Sequence, residues 1–169
     1  MRCVLRCIAF FKGDESQMWF VFLGSALIAL LDQAIKLIVK LNLKPIGEVD
    51  FIKGLLSFVY VENRGAAFGI LENQRWIFIL ITIAVIIFLV YYLIKIKDRS
   101  KLLLTSLMLI IGGGIGNLID RLMYGYVIDY IQLSFFPPVC NLADYCVVIG
   151  AVLLCIYLLA ISKKDDKSL

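Results

Sequence analysis

Residues 102–121 read LLLTSLMLIIGGGIGNLIDR. The stretch carries no charge before Asp120, and its length is close to the roughly 20 residues that an α-helix needs to cross a hydrocarbon core. It predicts a spanning helix over 102–119, closed by the polar triad Asn117, Asp120 and Arg121. The run Gly112-Gly113-Gly114-Ile115-Gly116 has the small-x-x-x-small spacing that lets membrane helices approach closely. A packing role is therefore expected for the glycines of this run, Gly113 and Gly116 among them, one that sets Asn117 and Arg121 against a neighbouring helix.

The rest of the chain follows the same rule. Of its 169 residues 62 % are apolar and 18 % charged, against roughly 45–50 % and about 25 % in soluble domains. A water-soluble globule of this size is excluded, because its surface could not hide so much hydrocarbon. Further apolar runs cover 18–40, 76–94 and 139–161. The reading is an all-α polytopic membrane protein, with a four-span body over 18–161 between a lead at 1–17 and a tail at 162–169. Lys and Arg number three in 2–17, four in 95–101 and three in 163–169, but five in 41–75 and 120–138 together. The positive-inside rule then places lead, tail and both termini in the cytoplasm. Trp19, Trp76, Tyr91 and Tyr92 near the span ends fit aromatic belts. A cleaved signal peptide is disfavoured, since no small-x-small site follows the first apolar run and helical periodicity resumes beyond Asp32-Gln33.

Outside the spans, Phe51–Glu62 mixes β-branched and aromatic residues and predicts short strands or an interfacial segment on the extracytoplasmic side. Tyr126–Ile131 is also β-prone, with Asp129 in its middle. The chain has no histidine, which removes imidazole acid–base chemistry, histidine-activated nucleophiles and histidine-ligated metals. No metal and no cofactor are expected, and nucleic-acid binding has no support. The five cysteines show no C-x-x-C spacing. Cys140 and Cys146 fall near one membrane face, where an oxidising environment would let them pair, but the odd total argues against a disulfide framework.

Residues that are expensive in hydrocarbon recur in three spans: Asp32 and Lys36; Asn117, Asp120 and Arg121; Asn141 and Asp144. Counted from the cytoplasmic boundary, Asp32, Asn117 and Asp144 lie about 21, 23 and 26 Å deep at 1.5 Å per residue. Against a core of about 30 Å, all reach the outer third of the bilayer. A single charge at a helix end ordinarily marks the interface, and Asp129 alone reads as a solvated loop residue. Three spans agreeing on one plane favour a site. Two carboxylates there, Asp129 and Asp144, can share one proton, one activating water while the other donates to a carbonyl.

At these residues the chain resembles the lipoprotein signal peptidases (signal peptidase II), four-span aspartyl peptidases of bacterial membranes. The resemblance runs through Asp32-Gln33 with Lys36, Asn63-Arg64-Gly65-Ala66-Ala67-Phe68, Gly113 to Arg121, Val127-Ile128-Asp129-Tyr130 and Asn141-Leu142-Ala143-Asp144. It implies that Asp129 and Asp144 are the catalytic pair, cutting diacylglyceryl-modified prolipoproteins just before the lipid-bearing cysteine. Asn63, Asn117, Arg121 and Asn141 would orient dyad and substrate, with Asp32, Lys36 and Asp120 supporting the fold nearby. The implied setting is the bacterial cytoplasmic membrane, with lipid as surroundings, the site facing outward and the chain a monomer. Tyr145, Cys140 and the short spacing from Asp129 to Asp144 depart from the family pattern. Other classes that the polar residues admit are a small proton- or ion-coupled transporter, and a structural subunit whose polar groups only lock helices together.

Overall fold

The structure is a computed structural model that describes residues 2–65, 72–96 and 100–165, with side chains over 16–65, 72–96 and 100–160. Ala66–Phe68 of the Asn-Arg-Gly motif, and the side chains of Cys3 and Cys7, lie outside those limits. Among the described residues four helices are long and apolar enough to cross a membrane: α1 (Arg2–Asn42), α2 (Arg75–Lys95), α3 (Lys101–Met123) and α4 (Leu142–Asp165). Four strands make one antiparallel sheet in the order β1 (Glu48–Ile52), β2 (Leu56–Asn63), β3 (Val127–Leu133), β4 (Phe136–Cys140). The chain is thus a polytopic helical membrane protein with a small β-segment, to which the stretch before α2 gives β1 and β2.

α3 is the hub, packed against α1, α2 and α4. Its inner faces carry Leu103, Leu104, Leu107 and Ile111, which form a core with Val21, Leu89, Leu93 and Tyr157. Toward the other end leucines give way to glycines. A Cβ on Gly112 would lie 2.8 Å from Ile28 Cβ of α1, one on Gly113 would collide with the Ala143 carbonyl of α4, and one on Gly116 would lie 2.6 Å from Asp32 Oδ2. The expected packing role holds for these three, and it brings α1 and α4 close enough for polar contacts.

On α1 the buried positions Val21, Ser25, Ala29, Asp32 and Lys36 recur at spacings of three and four, one helical stripe. Leu23, Leu27, Leu30 and Leu37 on the remaining surface are exposed, as a lipid-facing helix requires. The stripe therefore aims Asp32 and Lys36 at α3.

The first residues of the run expected as the fourth span, Val139 and Cys140, instead belong to β4, and α4 begins at Leu142. Pro137 and Pro138 stand just before them; with no N–H to give a helix turn, prolines fit the edge strand that β4 is. At the other end of the same connection Gly125 follows α3 with φ +80°, a left-handed stop that L side chains rarely adopt. The chain reverses there into β3. Cys140, Cys146 and Cys155 are free thiols, so Cys140 and Cys146 do not pair.

Candidate active site

The sheet and the helix ends meet at Asp129. In the β2–β3 ladder Val61 faces Asp129 and Asn63 faces Val127, so Asn63 and Asp129 are diagonal neighbours on one face. Asn63 Nδ2 donates to Asp129 Oδ2 at 2.8 Å. The other oxygen, Oδ1, accepts from Asn141 Nδ2 at 2.6 Å. Asp129 is 1 % exposed. Burial, and after it the negative charge of Asp144, push its carboxyl up to about 7 from the ordinary 3.8.

Asp144 is placed by the start of α4. Asn141 precedes the helix, its Oδ1 accepting from the Asp144 N–H at 2.9 Å while Asp144 Oδ2 accepts from the Asn141 N–H at 3.1 Å. This reciprocal pair is a capping box built from Asn and Asp, and it sets the carboxylate where the helix dipole favours negative charge. Asp144 Oδ1 accepts from Asn117 Nδ2 at 2.7 Å. Asn141 therefore touches both carboxylates, one through its side chain and one through its backbone.

Behind the pair lies a second layer. Lys36 Nζ reaches Asp32 Oδ2 at 2.8 Å, Asp120 Oδ2 at 3.0 Å and Asn117 Oδ1 at 2.9 Å, which uses all three ammonium protons. Asp32 Oδ1 accepts from the Ala143 N–H, and Asp120 Oδ2 from the Ile128 N–H. Each aspartate thus ties Lys36 to an element bearing one of the two cleft carboxylates: Ala143 precedes Asp144, and Ile128 precedes Asp129. Gln33 Nε2 donates to Asp120 Oδ1 at 2.8 Å and to the Gly116 carbonyl at 3.1 Å. Neither its residue type nor its place beside Asp32 assigns Gln33 this part.

Asp32, Lys36, Asn63, Asn117, Asp120, Asp129, Asn141 and Asp144 thus form one connected network across α1, β2, α3, β3 and α4. Arg121 stands beside it, with its guanidinium 5.0 Å over the Phe78 ring. A cleft of about 680 Å³ opens over Asp129 and Asp144, walled by Asn63, Arg121, Cys140 and Tyr145. Its size suits an extended peptide segment and its lining mixes apolar walls with a few convergent polar groups, as ligand sites do. Burial pushes the Cys140 thiol up to about 11, so it is a neutral, weakly nucleophilic wall residue.

Fold and cleft together define a multi-pass membrane protein with two amide-held carboxylates at the mouth of its helical bundle. The family model described as signal peptidase (SPase) II matches residues 24–160. A lipoprotein signal peptidase of Halothermothrix orenii is 47 % identical over 146 residues, covering 86 % of this chain and 99 % of that protein. One from Caldanaerobacter subterraneus subsp. tengcongensis is 48 % identical over 129 residues, 76 % and 88 % of the two chains. A bacterial membrane enzyme solved by the in meso method superposes with a TM-score of 0.79 at 33 % identity, covering 86 % of this chain and 90 % of that one. The chain belongs to the signal peptidase II family, and is a bacterial membrane hydrolase of that type.

Proposed function

We propose that this protein removes the signal peptide from diacylglyceryl-modified prolipoproteins, cutting N-terminal to the lipid-bearing cysteine, with Asp129 and Asp144 as its acid–base pair. The observation that carries the reading is Asn141, which holds one carboxylate through Nδ2 and the other through its N–H, and both carboxylates line a peptide-sized cleft. Such a pair needs neither histidine nor metal.

The chemistry follows from the two environments. Asp129, buried and beside a like charge, holds the shared proton up to about pH 7. Asp144, at the cleft and fixed by Asn117 and the α4 cap, takes a proton from water as its oxygen attacks the scissile carbonyl. The Asp129 proton meets the developing oxyanion. Collapse of the tetrahedral adduct breaks the C–N bond as the proton on Asp144 passes to the leaving amine, and the hydroxyl that re-forms the carbonyl returns its proton to Asp129. Arg121 and Asn63, at the cleft wall, orient the substrate backbone. No acyl-enzyme forms.

The basic flanks orient the chain with both termini in the cytoplasm and the cleft toward the outer leaflet, where a lipidated substrate presents its acyl chains. The reading takes the protein as a monomer. Cleavage of a diacylglyceryl-modified precursor by purified protein tests the reading. Asp129→Asn and Asp144→Asn should each lose on the order of 10³-fold or more in kcat while keeping the fold. Turnover like that of the unsubstituted enzyme in either variant would overturn the aspartyl mechanism.

A further inference from the structure

Gly114 breaks the pattern of its neighbours. Gly112, Gly113 and Gly116 are buried, and a Cβ on any of them would meet another helix at under 3 Å. A Cβ on Gly114 would meet only Ile86 Cδ1 at 3.6 Å and Thr82 Cγ2 at 3.7 Å, both ordinary contacts. The residue is half-buried in mid-helix, where glycine costs helix stability relative to alanine. Packing does not ask for it.

What Gly114 does border is a second groove, of about 320 Å³, with Thr82 and Ile86 of α2 on one wall and Val147 and Val148 of α4 on the other. Gly114, Asn117 and Arg121 stand at i, i+3 and i+7, one face of α3, and all three line this groove. Arg121, Asp144 and Val148 also line the cleft over the two carboxylates. The groove therefore runs from that cleft into the hydrocarbon region between α2 and α4, with α3 as its floor. Gly114 lies about 4.5 Å inward of Asn117 along the helix axis.

We propose that Gly114 is a specificity-determining residue, a low point in the groove floor that admits a bulky side chain from the last helical turn of the signal peptide before the scissile bond. The inference rests on the peptidase reading above. Its occupant is the apolar peptide segment, because the groove is continuous with the carboxylate cleft, lies within the spans, and is walled by β-branched side chains against which a helix can seat. A lipid chain would be indifferent to the width of the floor at one residue.

The test uses the full-length enzyme in detergent or nanodiscs and lipid-modified precursors carrying Gly, Ala or Leu in that last turn. Gly114→Ala should keep the melting temperature, since its Cβ meets only ordinary contacts, and lower kcat/KM for the leucine substrate by about threefold. Gly114→Leu should raise KM for the leucine substrate and lower kcat/KM by about tenfold or more, with the glycine substrate spared and its kcat unchanged. Thr82→Leu narrows the same groove from α2 and should reproduce the discrimination. Equal losses on all three substrates in both leucine variants would overturn the proposal, as would unfolding of Gly114→Ala, which would show a packing need. Losses that track acyl-chain length instead of the peptide side chain would also overturn it. Failure of the unsubstituted enzyme to cleave any precursor would overturn the peptidase reading itself.

Discussion

Two pairs of buried aspartates sit in neighbouring layers of this bundle, and their partners differ in kind. Asp32 and Asp120, each 0 % exposed, flank the Lys36 ammonium, which pairs with both. Asp129 and Asp144 are met by the neutral amides of Asn63, Asn117 and Asn141, and among the described residues neither forms an ion pair. A cation within contact would favour the charged form of both carboxylates. Amides fix the oxygens in place without supplying that charge, so the pair can retain a proton and use it. On the proposed mechanism the inner layer gives position and the outer layer chemistry, and Asn117 joins them by accepting from Lys36 and donating to Asp144.

The largest effect should come from removing the cation of the inner pair. Lys36→Met strands two carboxylates in a dry interior, and breaking a buried ion pair in this way costs about 3–5 kcal/mol. Denaturant unfolding in mixed micelles should show the loss. The triple variant Lys36→Met, Asp32→Asn, Asp120→Asn should recover most of it, since neutral groups of similar volume often replace buried ion pairs at little cost. A Lys36→Met protein as stable as the original would mean that the inner charges are already neutral.

Severing the link between layers should act on rate more than on stability. Asn117→Ala leaves Lys36 its two carboxylates but releases Asp144 Oδ1, and misplacing a catalytic group in this way costs on the order of 10²-fold. Steady-state assays should show the fall in kcat with KM little changed. A rise in KM alone would assign Asn117 to substrate binding.

The two layers were unequally legible in the sequence. Spans are written in composition, and the common depth of Asp32, Asn117 and Asp144 follows from counting residues at 1.5 Å each, so the plane of the site needed no coordinates. Partnership was not legible. Nothing in the residue types says that Asn141 would cap α4 rather than lie within it, because Val139 and Cys140 are apolar enough for a strand or a span, and only the two prolines tip the balance. Nor does spacing show that Gln33 turns toward Asp120 and Gly116. The glycine run read as uniform packing, whereas Gly114 faces a groove; a helix pattern gives the face of each glycine but not which neighbour stands opposite.

The smallest effect, and the one most specific to the outer pair, is a shift in titration. Asp129 is raised to about 7 by burial first and the Asp144 charge second. Its folded state therefore binds a proton that the unfolded chain releases near pH 4, so this residue's contribution to stability is full below about pH 4 and declines as the pH rises to about 7. The infrared carbonyl band of a protonated carboxyl should fade with a midpoint near 7, and be absent in Asp129→Asn. In Asp144→Asn the like charge is gone while burial remains, so the midpoint should move down yet stay above 3.8. A midpoint unmoved by Asp144→Asn would show that the two carboxylates do not sense each other, and the division between a positioning layer and a proton-sharing layer would then fail.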